Sequence, residues 1–204
     1  MKLRYSSTSP YVRKVMVTAL ETGQAHVIET IATNPWAPDT DLTKDNPMGQ
    51  VPALQAENGE WLYDSWVICD YLDSRHSGPK LTPESGDARF SVMRVHSLAN
   101  GMTNAGVACV LDGRRPETER SPSWVKRQTA NMNRIMDVLE NEIDSGVLSG
   151  DLTMAQIATV CGLGFIDFRL PDTSWRGTRP ALADFYDTLS NRPSFLQTVP
   201  KDPQ

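Results

Sequence analysis

The sequence predicts an α/β N-terminal part with a mixed sheet, in the order βαβ, loop, ββα, followed by an all-α C-terminal part. Three observations predict it. Strand-like runs occur only before Gly78, apolar residues after Pro79 recur only at helical spacing, and the break Ser77-Gly78-Pro79 separates the two textures. The boundaries expected are 1–77, a linker 78–86 and a helical domain 87–204. With 204 residues and 39% hydrophobic content, the chain can build one good core or two small ones.

Lys2-Leu3-Arg4-Tyr5 alternates polar and apolar residues, as a half-buried strand does. From Tyr11, Val12, Val15, Met16 and Ala19 form one helical stripe, and Gly23 can end that helix. His26 to Thr30 reads as a second strand, and the Pro-rich segment Pro35 to Pro47 reads as loop. Val51 to Leu54 and Trp61 to Tyr63 flank a turn at Asn58-Gly59, which predicts a hairpin. A helix from Asp64 or Ser65 to about His76 follows, with Val67, Ile68, Tyr71 and Leu72 on its apolar side. Beyond the break, helices are expected over about 87–113, 123–144, 154–169 and 181–191, punctuated by Pro116, Pro122, Gly146, Gly150, Pro171 and Pro193. Thr153 and Gln156 form a capping box at the third of these, with Leu152 against Ile157 as a hydrophobic staple.

The net charge of −5, with no run of Lys/Arg beyond pairs such as Arg13-Lys14 and Arg114-Arg115, excludes a basic stripe and argues against nucleic acid. The N-terminus MKLRYSSTSP has no apolar leader core, and no apolar stretch approaches the roughly 20 residues needed to cross a bilayer. A soluble, unexported, cytoplasmic protein without a membrane partner is expected. Cys69, Cys109 and Cys161 are far apart, odd in number and free of CxxC spacing, which disfavours disulfides and a metal site; each reads as a small buried hydrophobe. His26, His76 and His96 stand in no triad-like context, so a serine hydrolase is a poor reading.

Chemistry concentrates in the stretch SSTSPYVRKV, Ser6 to Val15. Pro10 suits the first helical position, which makes Ser9 the N-cap. Such a helix end attracts anions through free N–H groups, and a hydroxyl that caps and faces outward can donate to a thiolate. An ordinary Ser cap is the plainer alternative. Val51-Pro52 is a candidate cis bond at the start of a strand, where it would turn the backbone of Val51 toward an extended ligand. Asp64-Ser65 opens the helix after the hairpin, with a carboxylate for an ammonium group and a hydroxyl and N–H for a carboxylate; plain capping is again the alternative. Three such sites around one small sheet suit a small peptide bearing an amine and carboxylates.

These residues carry a resemblance. Thr8 to Val15, Asn46-Pro47-Met48-Gly49-Gln50-Val51-Pro52-Ala53-Leu54, Asp64-Ser65 and Gly162 to Arg169 together resemble the cytosolic glutathione transferases over essentially the whole chain. The similarity is greatest to the bacterial YibF-type group and the Ser-using tau and theta classes. The resemblance implies a thioredoxin-like N-terminal domain that binds glutathione as co-substrate, and a helical domain that supplies most of the second-substrate pocket. It implies that Ser9, with Thr8 as rival, hydrogen-bonds the glutathione sulfur. It further implies that the Val51 backbone pairs with the cysteinyl unit before cis-Pro52, and that Asp64 and Ser65 hold the γ-glutamyl end. A homodimer is implied too.

Three departures qualify the transfer. Gln50 stands where many relatives have Lys, which removes a charge that could meet the glycyl carboxylate and implies weaker glutathione binding. Trp66 occupies a position that is often smaller or basic, either packed or at a dimer surface. Gln156 replaces a capping-box Asp while keeping the reciprocal bonding. The electrophile pocket is expected between the domains, lined by Met102, Gly106 and Val110 with Trp36 as part of a lid; a core role for the first three is equally open. Small apolar electrophiles and organic hydroperoxides are both open as substrates, so peroxidase activity stands beside conjugation. The competing classes are a non-enzymatic binding or assembly module of the same fold and a glutathione-dependent thiol reductase. The reductase needs a Cys near the first helix start, where positions 6 to 9 offer only hydroxyls.

Overall fold

The structure is a computed structural model that describes residues 1–143 and 146–202. The chain divides into two compact units, Met1–Lys80 together with the chain from Pro193 onward, and Leu81–Arg192. This departs from the expected boundaries at the C-terminal end, where the chain from Pro193 belongs to the first unit.

The first unit holds a four-stranded mixed sheet, β1 (Lys2–Tyr5), β2 (Glu29–Ala32), β3 (Ala53–Gln55) and β4 (Trp61–Leu62), in spatial order β2-β1-β3-β4. β1 runs parallel to β2 and antiparallel to β3, and β3 is antiparallel to β4. The parallel pair is joined by α1 (Pro10–Glu21) as the crossover. Ser9 caps α1 and Pro10 takes its first position. Val12, Val15, Val17 and Ala19 are fully buried, and even Arg13 and Lys14 are nearly so, so α1 is enclosed on more than the single stripe its pattern predicts. Gly23, at φ +71°, ends it.

The second strand lies further along than the sequence indicates. Ala25–Val27 forms a short 3₁₀ turn, Val27 is exposed, and pairing with β1 begins at Glu29 opposite Lys2. The β3–β4 turn closes where expected, with Ala56 N–H donating to the Glu60 carbonyl at 2.8 Å and Gly59 at φ +89°. α2 (Ser65–Ser74) buries Ile68, Cys69 and Leu72 against this unit. Val67, expected on its apolar side, is exposed because the buried face runs through positions 65, 68, 69 and 72. α7 (Pro193–Leu196), too short to show a period, completes the unit with Phe195 fully buried.

The second unit is all helical: α3 (Gly86–Gly113), α4 (Pro122–Glu142), α5 (Met154–Arg169) and α6 (Pro180–Ser190). α5 is buried on every side from Met154 to Ile166, as a central helix must be when its sequence is apolar all round. Its capping box forms as predicted, Thr153 N–H donating to Gln156 Oε1 at 2.7 Å and Gln156 N–H to Thr153 Oγ1 at 3.5 Å. Gly162 lets α3 approach α5: a Cβ there would stand 2.6 Å from Thr103 Oγ1 and 2.7 Å from Met102 Cε. Glu140 on α4 accepts from the N–H groups of Ala181 and Leu182, which caps α6 where no N-cap side chain does. All three cysteines are buried and free, and burial pushes the Cys69 and Cys109 thiols up.

Candidate functional site

The strand register decides what meets at one end of the sheet. Arg4 pairs with Ala53, so continuing the antiparallel ladder sets Ser6 beside Val51. Leu54 pairs with Leu62, so the same extrapolation sets Pro52 beside Asp64. With neighbouring strands about 4.8 Å apart, the hydroxyl loop, the Val51-Pro52 bond and Asp64-Ser65 line up over about 10 Å along one edge. α1 leaves β1 and α2 leaves β4 at this same end, so both helix N-termini, with their exposed donors and positive dipole ends, belong to it.

Each position has its own local cause. Ser9 Oγ accepts from Val12 N–H at 3.3 Å, and the Ser9 carbonyl accepts from Arg13 N–H at 3.0 Å. As an acceptor from the helix, the Ser9 hydroxyl keeps its own proton free to donate outward. Ser9 N–H in turn donates to the Ser6 carbonyl at 3.2 Å, which closes the loop Ser6 to Ser9. Thr8 Oγ1 lies 3.2 Å from Ser6 Oγ, so those two hydroxyls engage each other. The Val51-Pro52 bond is cis. It follows a turn built by buried Asn46, whose Nδ2 donates to the Gln50 carbonyl at 2.7 Å and whose Oδ1 accepts from Met48 N–H at 3.0 Å. The Gln50 side chain is exposed. Asp64 Oδ1 accepts from Trp66 N–H at 2.9 Å as the cap of α2; Asp64 is exposed, and Ser65 is buried behind it. Trp66 is half-buried. The Tyr63-Asp64 bond is also cis.

Sequence reasoning missed Tyr11. Burial, with the Asp64 charge adding, pushes its phenol up to about 12, so it stays a neutral O–H donor at any working pH. The electrostatic link to Asp64 joins the first turn of α1 to the cap of α2. The adjacency of Tyr11 to Pro10 in the sequence was the available signal.

The four residues expected to line an apolar pocket are not alike. Met102 is fully buried against Gly162 of α5, and a Cβ added at Gly106 would stand 3.6–3.7 Å from Phe165, Leu170 and Met132, so both lie among packed side chains of the helical unit. Close α3–α5 approach turns that face inward. Val110 is half-buried, and Trp36 is exposed, its N–H held by Asn34 Oδ1 at 3.0 Å. The helical unit has a separate open cleft of about 460 Å³ between α3 and α4, bordered by Gly101, Asn104, Trp124, Gln128 and Arg134. Among the described residues no group of three or more His, Cys, Asp or Glu is placed to hold a metal ion.

This end of the sheet therefore gathers two helix N-termini, hydroxyls and a carboxylate, groups suited to anions and to an ammonium. Comparison with known proteins gives the family. Residues 8–75 match the family model for the glutathione S-transferase N-terminal domain, and residues 122–188 match that for its C-terminal domain. The chain is 35% identical over 201 residues to Escherichia coli (strain K12) YibF, described as an uncharacterized GST-like protein, covering 98% of both. The crystal structure of a glutathione transferase family member from Pseudomonas fluorescens Pf-5 with bound glutathione superposes with a TM-score of 0.93 at 40% identity, covering 98% of this chain and 99% of that one. A glutathione S-transferase from Methylobacillus flagellatus KT with glutathione bound gives 0.92 at 34% identity, covering 98% and 99%.

Proposed function

The chain belongs to the glutathione S-transferase family, and from that premise we propose that it binds glutathione along this sheet edge and activates its thiol. The observation that carries the reading is the convergence of two capped helix N-termini on the cis Val51-Pro52 bond. Ser9 Oγ–H donates to the sulfur, while the rival Thr8 hydroxyl is paired with that of Ser6. Val51 offers its backbone to the cysteinyl unit, and Asp64 with Ser65 holds the ammonium and carboxylate of the γ-glutamyl end. Gln50 offers an amide where a cation would bind the glycyl carboxylate more strongly.

The demand on Ser9 is modest. A free thiol of pKa about 8.5 is roughly 3% thiolate at pH 7, and lowering it by about two units makes the thiolate the major form. Two units correspond to about 2.7 kcal/mol, within the reach of one charge-assisted hydrogen bond and a helix dipole. The thiolate then attacks an electrophilic carbon, the new C–S bond forms, and the displaced pair leaves with the departing group or moves into the conjugated acceptor. Ser9 remains a donor throughout and never becomes a nucleophile.

Small apolar electrophiles and organic hydroperoxides are the proposed second substrates. A cytoplasmic homodimer completes the reading; no helix among the described residues is long and apolar enough to cross a membrane, and exposed Val67 beside Trp66 is a candidate contact. Calorimetry with glutathione, followed by a panel of electrophiles and hydroperoxides, tests it. Saturable heat and turnover are expected. Absence of any binding heat would move the protein to a non-enzymatic module of the same fold.

A further inference from the structure

The C-terminal segment returns to the hydroxyl loop by following α1 backwards. At the end of α1, Ser194 Oγ donates to Glu21 Oε1. Next, Phe195 is fully buried; its carbonyl accepts from Arg13 Nη2 at 3.4 Å, and its ring centroid lies 5.8 Å from the Arg13 guanidinium carbon. Thr198 Oγ1 donates to the Ser194 carbonyl at 2.9 Å and so tightens the turn after α7. Finally the Lys201 backbone N–H donates to the Ser7 carbonyl at 3.4 Å. Ser194 meets Glu21 at the last residue of α1 and Lys201 meets Ser7 shortly before its first, so the segment runs beside the helix from end to end.

The contacts depend on each other. Arg13 is 6% exposed, and its Nε and Nη1 are buried with no hydrogen-bond partner among the described residues. The guanidinium is thus oriented by the Phe195 carbonyl and ring, and a cation this deep is costly to leave without them. At the other end, the Ser7 carbonyl belongs to the central peptide unit of the turn that Ser9 N–H closes onto Ser6. Rotating that peptide changes the direction in which Thr8 and Ser9 leave the turn.

We propose that this C-terminal strap is a positioning element for Ser9, anchored by Phe195 on Arg13 and delivering the Lys201 N–H to the Ser7 carbonyl. The proposal rests on Ser9 holding the glutathione sulfur. The strap touches no substrate; it fixes the turn so that the Ser9 hydroxyl caps Val12 and aims its proton at the thiol.

Lys201→Pro removes the N–H, as does ending the chain after Pro200, whereas Lys201→Ala keeps it. Lys201→Pro and the chain ended after Pro200 should both raise the bound glutathione thiol pKa. They should lower kcat about three- to tenfold, the worth of one ordinary hydrogen bond, with KM for glutathione changed less than about twofold. Lys201→Ala should match wild type. Adding Lys201→Pro to Ser9→Ala should cause no further loss, because the strap acts through Ser9. Hydrogen exchange at Val12 N–H, which the Ser9 cap protects, should accelerate in Lys201→Pro even without ligand. Unchanged Val12 exchange, or further loss in the double variant, overturns the strap proposal. Accelerated exchange with a thiol pKa indifferent to Ser9→Ala would uphold the strap's hold on the turn and overturn its link to the sulfur, together with the Ser9 reading.

Discussion

Ser9 carries two duties that substitution can separate. Its Oγ caps α1 through Val12 N–H at 3.3 Å, and its proton is proposed to meet the glutathione sulfur. Ser9→Ala removes both. The cap loss costs about 0.5–1 kcal/mol of stability, the low end for N-caps because 3.3 Å is a long bond. The lost charge-assisted bond raises the bound thiol pKa by about one to two units, for about 1.5–3 kcal/mol. Ser9→Asp separates the two duties. Asp is among the best caps, so stability should hold or rise, while a carboxylate about 4 Å from the sulfur repels the thiolate by about 1–4 kcal/mol across effective dielectrics of about 80 to 20. Half-exposed Ser9 favours the lower part of that range. Thiolate absorbance against pH and urea unfolding should thus show thiol pKa raised in both variants, with stability falling only in Ser9→Ala. The pH–rate profile of conjugation should move to higher pH in both. The assignment is refuted if Ser9→Ala leaves pKa and turnover unchanged while Thr8→Ala raises the pKa.

Two further perturbations address the other end of the ligand and the core. Asp64→Asn keeps an N-cap for Trp66 N–H but loses the charge, so affinity for S-methyl glutathione should drop about 10- to 100-fold with stability unchanged, as calorimetry and urea unfolding would show. In the same variant the Tyr11 phenol should titrate below about 12, because an anion that opposed ionisation is gone, yet above the ordinary 10, because burial is the larger cause; ultraviolet titration reads this. Gly162→Ala should destabilise the protein by about 1–3 kcal/mol, read from the urea midpoint, since its Cβ would meet Thr103 Oγ1, Met102 Cε and, at 3.5 Å, the Ala99 carbonyl. An unchanged midpoint there would mean that α3 and α5 separate at little cost.

What the sequence made legible was local. Caps announce themselves in a few adjacent residues, so Ser9-Pro10, Asp64-Ser65 and Thr153-Gln156 were readable as helix starts, and the structure has all three as caps. The apolar pair Val27-Ile28 looked like strand, but pairing with β1 decides where β2 begins, and that information lies in Lys2 to Tyr5. Met102 and Gly106 had the composition of a pocket wall; what buries Met102 is a glycine sixty residues away in the sequence, at position 162, and what surrounds Gly106 is Phe165, Leu170 and Met132. Tyr11's tie to Asp64 and the strap on Arg13 depend on contacts that no window of sequence contains.

The placement of Phe195 bears on how the molecule is made. Because the chain from Pro193 belongs to the first unit, the helical unit is an insertion, and a ribosome extending the chain delivers every helix from α3 to α6 before the residue that seats on Arg13 emerges. Until then the sheet and α1 wait with a guanidinium that still holds its water. The contact spans 182 residues, so its loop-closure cost falls only after the inserted helices have folded and shortened the effective loop. Assembly thus ends at the hydroxyl turn, and a chain cut short by a dozen residues would hold both sheet and helices while lacking the part that sets Ser9.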